Sequence, residues 1–169
     1  MNIFLIGYRC TGKTTVGRSL AKRLERLFID TDLELVKEQG ENISGIVSNR
    51  GWSAFREIEN RVIQYVCERD NQVVATGGGA VLDEDNVKRM KDSGVLVWLR
   101  ADIKTIEKRI IEDNTTQDFR PALTSKGSVE EIQETLLVRN PYYERAMDFS
   151  VDTDFMDIDS VCDTIIQKL

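Results

Sequence analysis

Gly7, Gly12, Lys13 and Thr14 stand at the spacing G-x-x-x-x-G-K-[ST] inside the stretch GYRCTGKTT, Gly7 to Thr15. That combination suits phosphate binding. The glycines let backbone N–H groups turn inward on phosphate oxygens, Lys13 reaches the outer phosphates, and the Thr14 hydroxyl ligates Mg²⁺. A glycine-containing strand-to-helix turn with no ligand is the bland alternative. The four apolar residues Ile3–Ile6 before the motif and the helical pattern after it favour phosphate, because a helix N-terminus adds its own positive end. The GTPase signatures N-K-x-D and D-x-x-G do not occur. The apolar run VLVWL ends in Arg100 rather than in a metal-binding aspartate. The second metal position therefore falls to Asp30, at the end of another strand-like run.

Asp30 and Asp32 form D-x-D. If the extended conformation continues past Asp30, both side chains point to one side, one to the metal and one to an acceptor. The competing reading makes Asp32 the cap of a helix starting at Leu33. Arg56, in AFREIE, is either a ligand-binding arginine or half of an i,i+3 pair with Glu59. Arg139, before NPYY, is either a binding arginine or a solvated charge. Gly77, Gly78 and Gly79 end a strand-like run and suit close approach of a ligand to backbone, or a flexible turn. Arg120-Pro121 lies in the polar stretch 113–127. There it belongs either to a surface loop or to a lid that brings a guanidinium onto a transferred phosphoryl group, which is worth about 10³–10⁵ in rate where it operates.

These residues need elements to hold them. The pattern predicts strands at Ile3–Ile6, Leu27–Asp30, Gln72–Thr76, Val95–Leu99 and Phe149–Val151. It predicts helices over Lys13–Leu27, from the cap Asp83 through Met90, over Ile103–Glu112 from the cap Asp102, from a Ser128/Glu131 capping box onward, and up to Lys168. Helical pattern between the second and third strands breaks near Gly40 and Gly51. Alternating strands and helices predict βαβ units and a parallel sheet.

The chain has 169 residues, which suits one domain, with 41% apolar and 31% charged residues. A net charge of −6 argues against a nucleic-acid binder, so an anionic ligand must be held by local positive charge. Cys10, Cys67 and Cys162 have no zinc-module or C-x-x-C spacing and read as free thiols of a reducing compartment. There is no histidine, so acid–base work falls to carboxylates, lysine or water. No segment approaches the ~20 apolar residues of a membrane span. The expected setting is cytoplasmic, with no membrane or nucleic-acid partner.

Taken in order, GYRCTGKTT, FIDTD, FREIE, TGGGAV, FRPAL and RNPYYERA resemble shikimate kinase over essentially the whole chain. The resemblance implies an α/β P-loop fold of the nucleoside-monophosphate-kinase type, a five-stranded parallel sheet flanked by helices. Within the single domain 1–169 it implies a substrate-binding region at 32–60 and a lid at 113–127. It implies ATP-dependent phosphorylation of the shikimate 3-hydroxyl, with Mg²⁺ as cofactor; the expected state is a monomer. By position, Cys10, Thr11, Gly12, Lys13, Thr14 and Thr15 resemble the ATP loop, and Thr14 and Asp30 the metal positions. Asp32 resembles the residue that binds shikimate hydroxyls and accepts the proton. Arg56 and Arg139 resemble the carboxylate clamp, and Gly77–Gly79 the backbone contact to substrate. Arg120 resembles the lid arginine, and with Lys13 and Asp32 completes the catalytic set; Arg109 is similar to a residue that packs on adenine. Two departures stand out. Cys10 occupies a position where many members have glycine, and Asp154-Phe155-Met156 replaces a stretch where many carry a basic residue near adenine. Other small-molecule kinases on this fold, for gluconate or a nucleoside monophosphate, and a nucleotide-binding module without turnover are the alternatives.

Overall fold

The computed structural model describes residues 1–112 and 128–169. Among them, strands β1 (Asn2–Ile6), β2 (Leu27–Asp30), β3 (Gln72–Ala75), β4 (Gly94–Arg100) and β5 (Phe149–Asp152) form one sheet, ordered β2-β3-β1-β4-β5. Every pairing is parallel, with Leu5 beside Ala75, Ile6 beside Trp98 and Arg100 beside Asp152. All strands therefore end at the same edge. The helices are α1 (Lys13–Arg23), α2 (Thr31–Gln39), α3 (Ile43–Cys67), α4 (Glu84–Ser93), α5 (Ile103–Glu112), α6 (Ser128–Ala146) and α7 (Ile158–Lys168).

Period-two alternation sorts the strand residues between two cores. Phe4, Ile6, Val74, Leu96 and Trp98 pack against Leu35, Phe55, Ile58, Met90 and Tyr143 from α2, α3, α4 and α6. Ile3, Leu5, Val73, Val97 and Leu99 pack against Val16, Leu20, Val161 and Ile165 from α1 and α7. The inner strands are covered on both faces, which is why they read as continuous apolar runs. Each such side chain stabilises the fold by about 1.5–3 kcal/mol. The neighbours of β1 are β3 and β4, while β2, next in the chain, lies beyond β3. The chain order reverses at β1, so a crevice opens past its carboxyl end, where ligands bind in open α/β sheets.

Several expectations are corrected. Helix α1 ends at Arg23 rather than Leu27. Glu25 takes φ 52°, and Arg26 N–H donates to the Ala21 carbonyl at 2.9 Å, a turn that frees Leu27 to start β2. The extended conformation does not continue past Asp30, because α2 begins at Thr31. The cap is Asp30, not Asp32: its Oδ1 accepts from the N–H groups of Asp32 at 3.1 Å and Leu33 at 3.4 Å. The breaks near Gly40 and Gly51 are present. Gly40 closes α2 at φ 66°, and Gly51 at φ 83° divides α3 into two helical segments. Helix α6 opens at Ser128, as the Ser128/Glu131 pattern expects, and Glu131 also pairs with Arg9 at 2.7 Å and is almost wholly buried. Among the described residues, no helix is long and apolar enough to cross a membrane.

Candidate active site

The phosphate loop leaves β1 at Gly7. Gly7 takes φ 141°, and a Cβ there would stand 2.5 Å from the Leu99 carbonyl oxygen, so only glycine lets the loop cross β4 this closely. Gly12, at φ 96°, is the N-cap of α1 and brings no side chain to the helix end. Anions can therefore be received by the first-turn N–H groups. Thr11 Oγ1 donates to the Tyr8 carbonyl at 2.8 Å and pins the loop. Lys13 is buried, and its Nζ donates to the carbonyls of Gly7 at 2.8 Å and Tyr8 at 2.7 Å. Thr14 Oγ1 donates to Asp30 Oδ2 at 2.8 Å, so the two expected metal positions are already adjacent.

Cys10 takes φ 60°, the left-handed conformation that glycine adopts without penalty. The departure from glycine thus leaves the turn itself intact. The left-handed region costs an L-residue about 1–2 kcal/mol, and glycine returns roughly 0.4–1 kcal/mol of that through unfolded-chain entropy. Cys10→Gly is expected to raise stability by up to about 1 kcal/mol, and Cys10→Val to lower it by more than about 1 kcal/mol, since β-branching is least tolerated at positive φ. Urea unfolding of the two variants checks the sign of each; a destabilised Cys10→Gly contradicts the argument.

Two clefts flank this loop. The first is lined by Lys13, Asp32, Arg56, Gly77–Gly79 and Arg139, together with Tyr8, Arg9, Glu59 and the apolar Ile43, Trp52 and Phe55. Arg56, Asp32 and Arg139 come from α3, α2 and α6, far apart in sequence, and meet over the turn that follows β3. That turn needs Gly77 and Gly79 for room, whereas Gly78 would admit a Cβ at ordinary contact distance. A Cβ on Gly77 would lie 2.6 Å from Glu59 Oε1 and 2.8 Å from Asp32 Oδ1; one on Gly78 would lie 3.6 Å from Arg139 Nη1; one on Gly79 would overlap the Arg56 guanidinium. Tyr143 Oη donates to the Gly78 carbonyl at 2.5 Å while its ring stacks on Trp98 at 5.6 Å. Burial pushes the Tyr143 phenol up to about 12, so it stays a donor at any physiological pH.

Arg56 makes the expected i,i+3 pair, with Glu59 at 2.5 Å, and also borders the cleft. Its guanidinium also lies over Phe55 at 5.1 Å and Trp52 at 5.7 Å. Glu59 is almost fully buried, and burial raises its carboxyl above the usual range despite the opposing pull of Arg56. The sequence reading names Glu59 only as the i,i+3 partner of Arg56. The missed signal is that Glu59 shares the i, i+3, i+4 stripe of the core residues Phe55, Ile58 and Val62.

The second cleft is lined by Cys10, Thr11, Gly12, Thr15 and Arg109, with Thr153, Met156, Ile158 and Val161. Arg109 is held flat by its own bonds: Nη1 donates to the Cys10 carbonyl at 3.2 Å and Thr153 Oγ1 at 3.1 Å, and Nη2 to the Thr153 carbonyl at 2.7 Å. Thr153 was not foreseen; its hydroxyl also donates to the Arg100 carbonyl at 3.0 Å, tying β5 to β4. The stretch after β5 presents the apolar Met156 and Ile158 to this cleft. The expected lid 113–127 and Arg120 lie outside the described residues.

If the bare Cα of Gly79 makes room for Arg56, then Gly79→Ala should displace the guanidinium and strain its pair with the buried Glu59. Gly79 has φ −102°, which alanine accepts. Stability is expected to fall by up to roughly 3–5 kcal/mol, the cost of parting a buried pair, while use of a carboxylate-bearing acceptor falls at least roughly tenfold, the effect of about 1.4 kcal/mol. Acceptor KM and the unfolding midpoint, measured together, check both halves.

Parallel strands with a phosphate loop at the switch point, and a cleft with charged walls that its lysine helps to line, define a P-loop kinase of the nucleoside-monophosphate-kinase type. The family model described as shikimate kinase matches residues 9–169, and the chain belongs to that family. It is 42% identical over 167 residues to the shikimate kinase of Thermodesulfovibrio yellowstonii, covering 99% of this chain and 94% of the relative. It is 39% identical over 175 residues to that of Syntrophus aciditrophicus, covering 99% and 90%. The solved structure of shikimate kinase from Acinetobacter baumannii in complex with shikimate superposes with a TM-score of 0.92 at 31% identity, covering 99% of this chain and 91% of that one.

Proposed function

We propose that this chain transfers the γ-phosphoryl group of ATP to the 3-hydroxyl of shikimate, giving shikimate 3-phosphate and ADP, with the roles divided between the two clefts. The reaction itself is that of the family to which the chain belongs. The observation that carries the division of roles is the first cleft: Arg56 and Arg139 converge there with Asp32 beside the lysine of the phosphate loop. A small carboxylate with neighbouring hydroxyls needs those groups. Arginine grips a carboxylate through parallel N–H bonds, and Asp32 accepts from hydroxyls.

The loop Cys10–Thr15 holds the ATP phosphates, and Lys13 turns from the carbonyls of Gly7 and Tyr8 to the outer phosphate oxygens. Arg109, fixed by Thr153, packs a flat face on adenine. Asp32 orients the attacking hydroxyl and takes its proton as the bond from γ-phosphorus to the ADP oxygen breaks. Arg56 and Arg139 clamp the carboxylate, and the backbone of Gly77–Gly79 borders the ring. Thr14 and Asp30 fit a magnesium ion, being hard oxygen donors brought within hydrogen-bonding distance of each other; Mg²⁺ usually takes few protein ligands, with phosphate and water completing its shell. When bound, the ion neutralises phosphate charge during transfer. Arg120 is the further cation of this reading, and 113–127 its lid. Residues 32–60 form the substrate-binding region of one domain. A cytoplasmic monomer using only ATP and shikimate completes the proposal.

The test is acceptor-dependent ADP release. Turnover with shikimate supports the reading. Turnover with gluconate or a nucleoside monophosphate and not with shikimate replaces the acceptor, and ATP binding without acceptor-dependent release overturns the assignment to catalysis.

A further inference from the structure

Glu59 sits in the acceptor cleft with only one of its oxygens in use. Its side chain is 3% exposed. Oε2 accepts from Arg56 Nη1 at 2.5 Å, while Oε1 is buried with no hydrogen-bond partner. That orphan oxygen is aimed at the bare Cα of Gly77, where an added Cβ would stand 2.6 Å from it and 2.8 Å from Asp32 Oδ1. The charged groups facing Glu59 are Arg56 on its own helix, Asp32 from α2 and Arg139 from α6, with Arg9 and Lys13 of the phosphate loop lining the same cleft.

A substrate carboxylate entering this cleft meets a conflict. Arg56 is already bound to a carboxylate that has almost no access to water. Two anions beside one guanidinium raise each other's affinity for protons, and the one without solvent yields first. Burial already biases Glu59 toward its neutral form. A proton on Oε1 would remove the charge from this buried position and leave Oε2 as an acceptor for Arg56.

We propose that Glu59 takes up one proton from solvent when the carboxylate of shikimate binds, so that the charge of Arg56 passes from Glu59 to the substrate. This rests on the acceptor reading above. No covalent bond other than that O–H changes, and the proton comes from bulk buffer. The sign follows from linkage. A group that binds its proton more tightly in the complex makes binding strongest at low pH. Affinity then falls as pH rises between the free and bound titrations, by up to about tenfold per pH unit for one proton.

Calorimetric titration of the full chain with shikimate, in two buffers of different ionisation enthalpy between about pH 5 and about pH 9, spans the range from ordinary to strongly raised carboxyl values. The expected result is uptake approaching one proton within that range, with affinity falling as pH rises. In Glu59→Gln the amide cannot titrate, so uptake disappears and affinity becomes flat with pH. Shikimate binding by the unaltered protein with no uptake anywhere in the range overturns the inference and leaves the acceptor reading standing, whether or not the variant folds. Uptake that persists undiminished in folded Glu59→Gln also overturns it. A chain that binds ATP but gives no heat with shikimate at any pH overturns both.

Discussion

Lys13→Ala is expected to lower kcat at least about 10²-fold, the scale set by removing one pre-positioned electrostatic donor from a transition state. The fold should survive. In the structure, Lys13 Nζ donates to the carbonyls of Gly7 and Tyr8, and losing those bonds costs roughly 1–3 kcal/mol if the carbonyls stay unsatisfied. The helix behind Lys13 rests on Val16, Leu20 and Ala21 in the core, none of which the substitution touches. Single-turnover kinetics beside urea unfolding separate the two effects. Near-normal turnover in a folded variant would remove Lys13 from the chemistry.

Loss of either clamp arginine is the other large effect, and the two differ in kind. Truncating one partner of a desolvated charge pair costs about 2–5 kcal/mol, so Arg139→Ala and Arg56→Ala should each lower shikimate kcat/KM by well over tenfold. ATP affinity without shikimate should change little, because the nucleotide cleft shares neither residue. Lysine should rescue only partly, since it lacks the planar fork. Arg56→Ala carries an added cost. It strands Glu59, which is nearly buried and loses its 2.5 Å partner. Breaking a buried pair on one side destabilises by roughly 3–5 kcal/mol. Adding Glu59→Gln should recover most of that stability without restoring shikimate use. Unchanged shikimate kinetics in both single variants would dissolve the clamp.

The sequence by itself determined the parallel α/β sheet and the phosphate loop. Both rest on local physics. Buried parallel strands must be continuous apolar runs, and a phosphate cradle needs Gly7, Gly12, Lys13 and Thr14 at fixed spacing on one turn. The caps at Asp83 and Asp102 were legible for the same reason: Asp83 Oδ1 accepts from Asp85 N–H at 2.9 Å, and Asp102 Oδ1 from Thr105 N–H at 2.8 Å, within three residues of chain. Asp30 and Asp32 were named as a site, but the route by which they reach it was misread. An even spacing projects to one side only if the backbone stays extended, and whether a helix begins at Thr31 depends on Asp30 bending back to cap it.

Only the tertiary structure decided where Arg56, Glu59, Arg139, Thr153 and Arg9 stand and what they touch. Each has an innocuous local reading, and Arg56 with Glu59 fulfils that reading to the letter. The cleft appears only when α2, α3 and α6 converge on the turn after β3, where Gly77 and Gly79 leave space that Glu59, Asp32 and Arg56 fill. Likewise Arg9 meets Glu131 across 122 residues of chain and Arg109 meets Thr153 across 44. Such pairs leave no periodicity or spacing in the sequence, because the distance that matters between them is set by the packing of helices on the sheet and not by the chain.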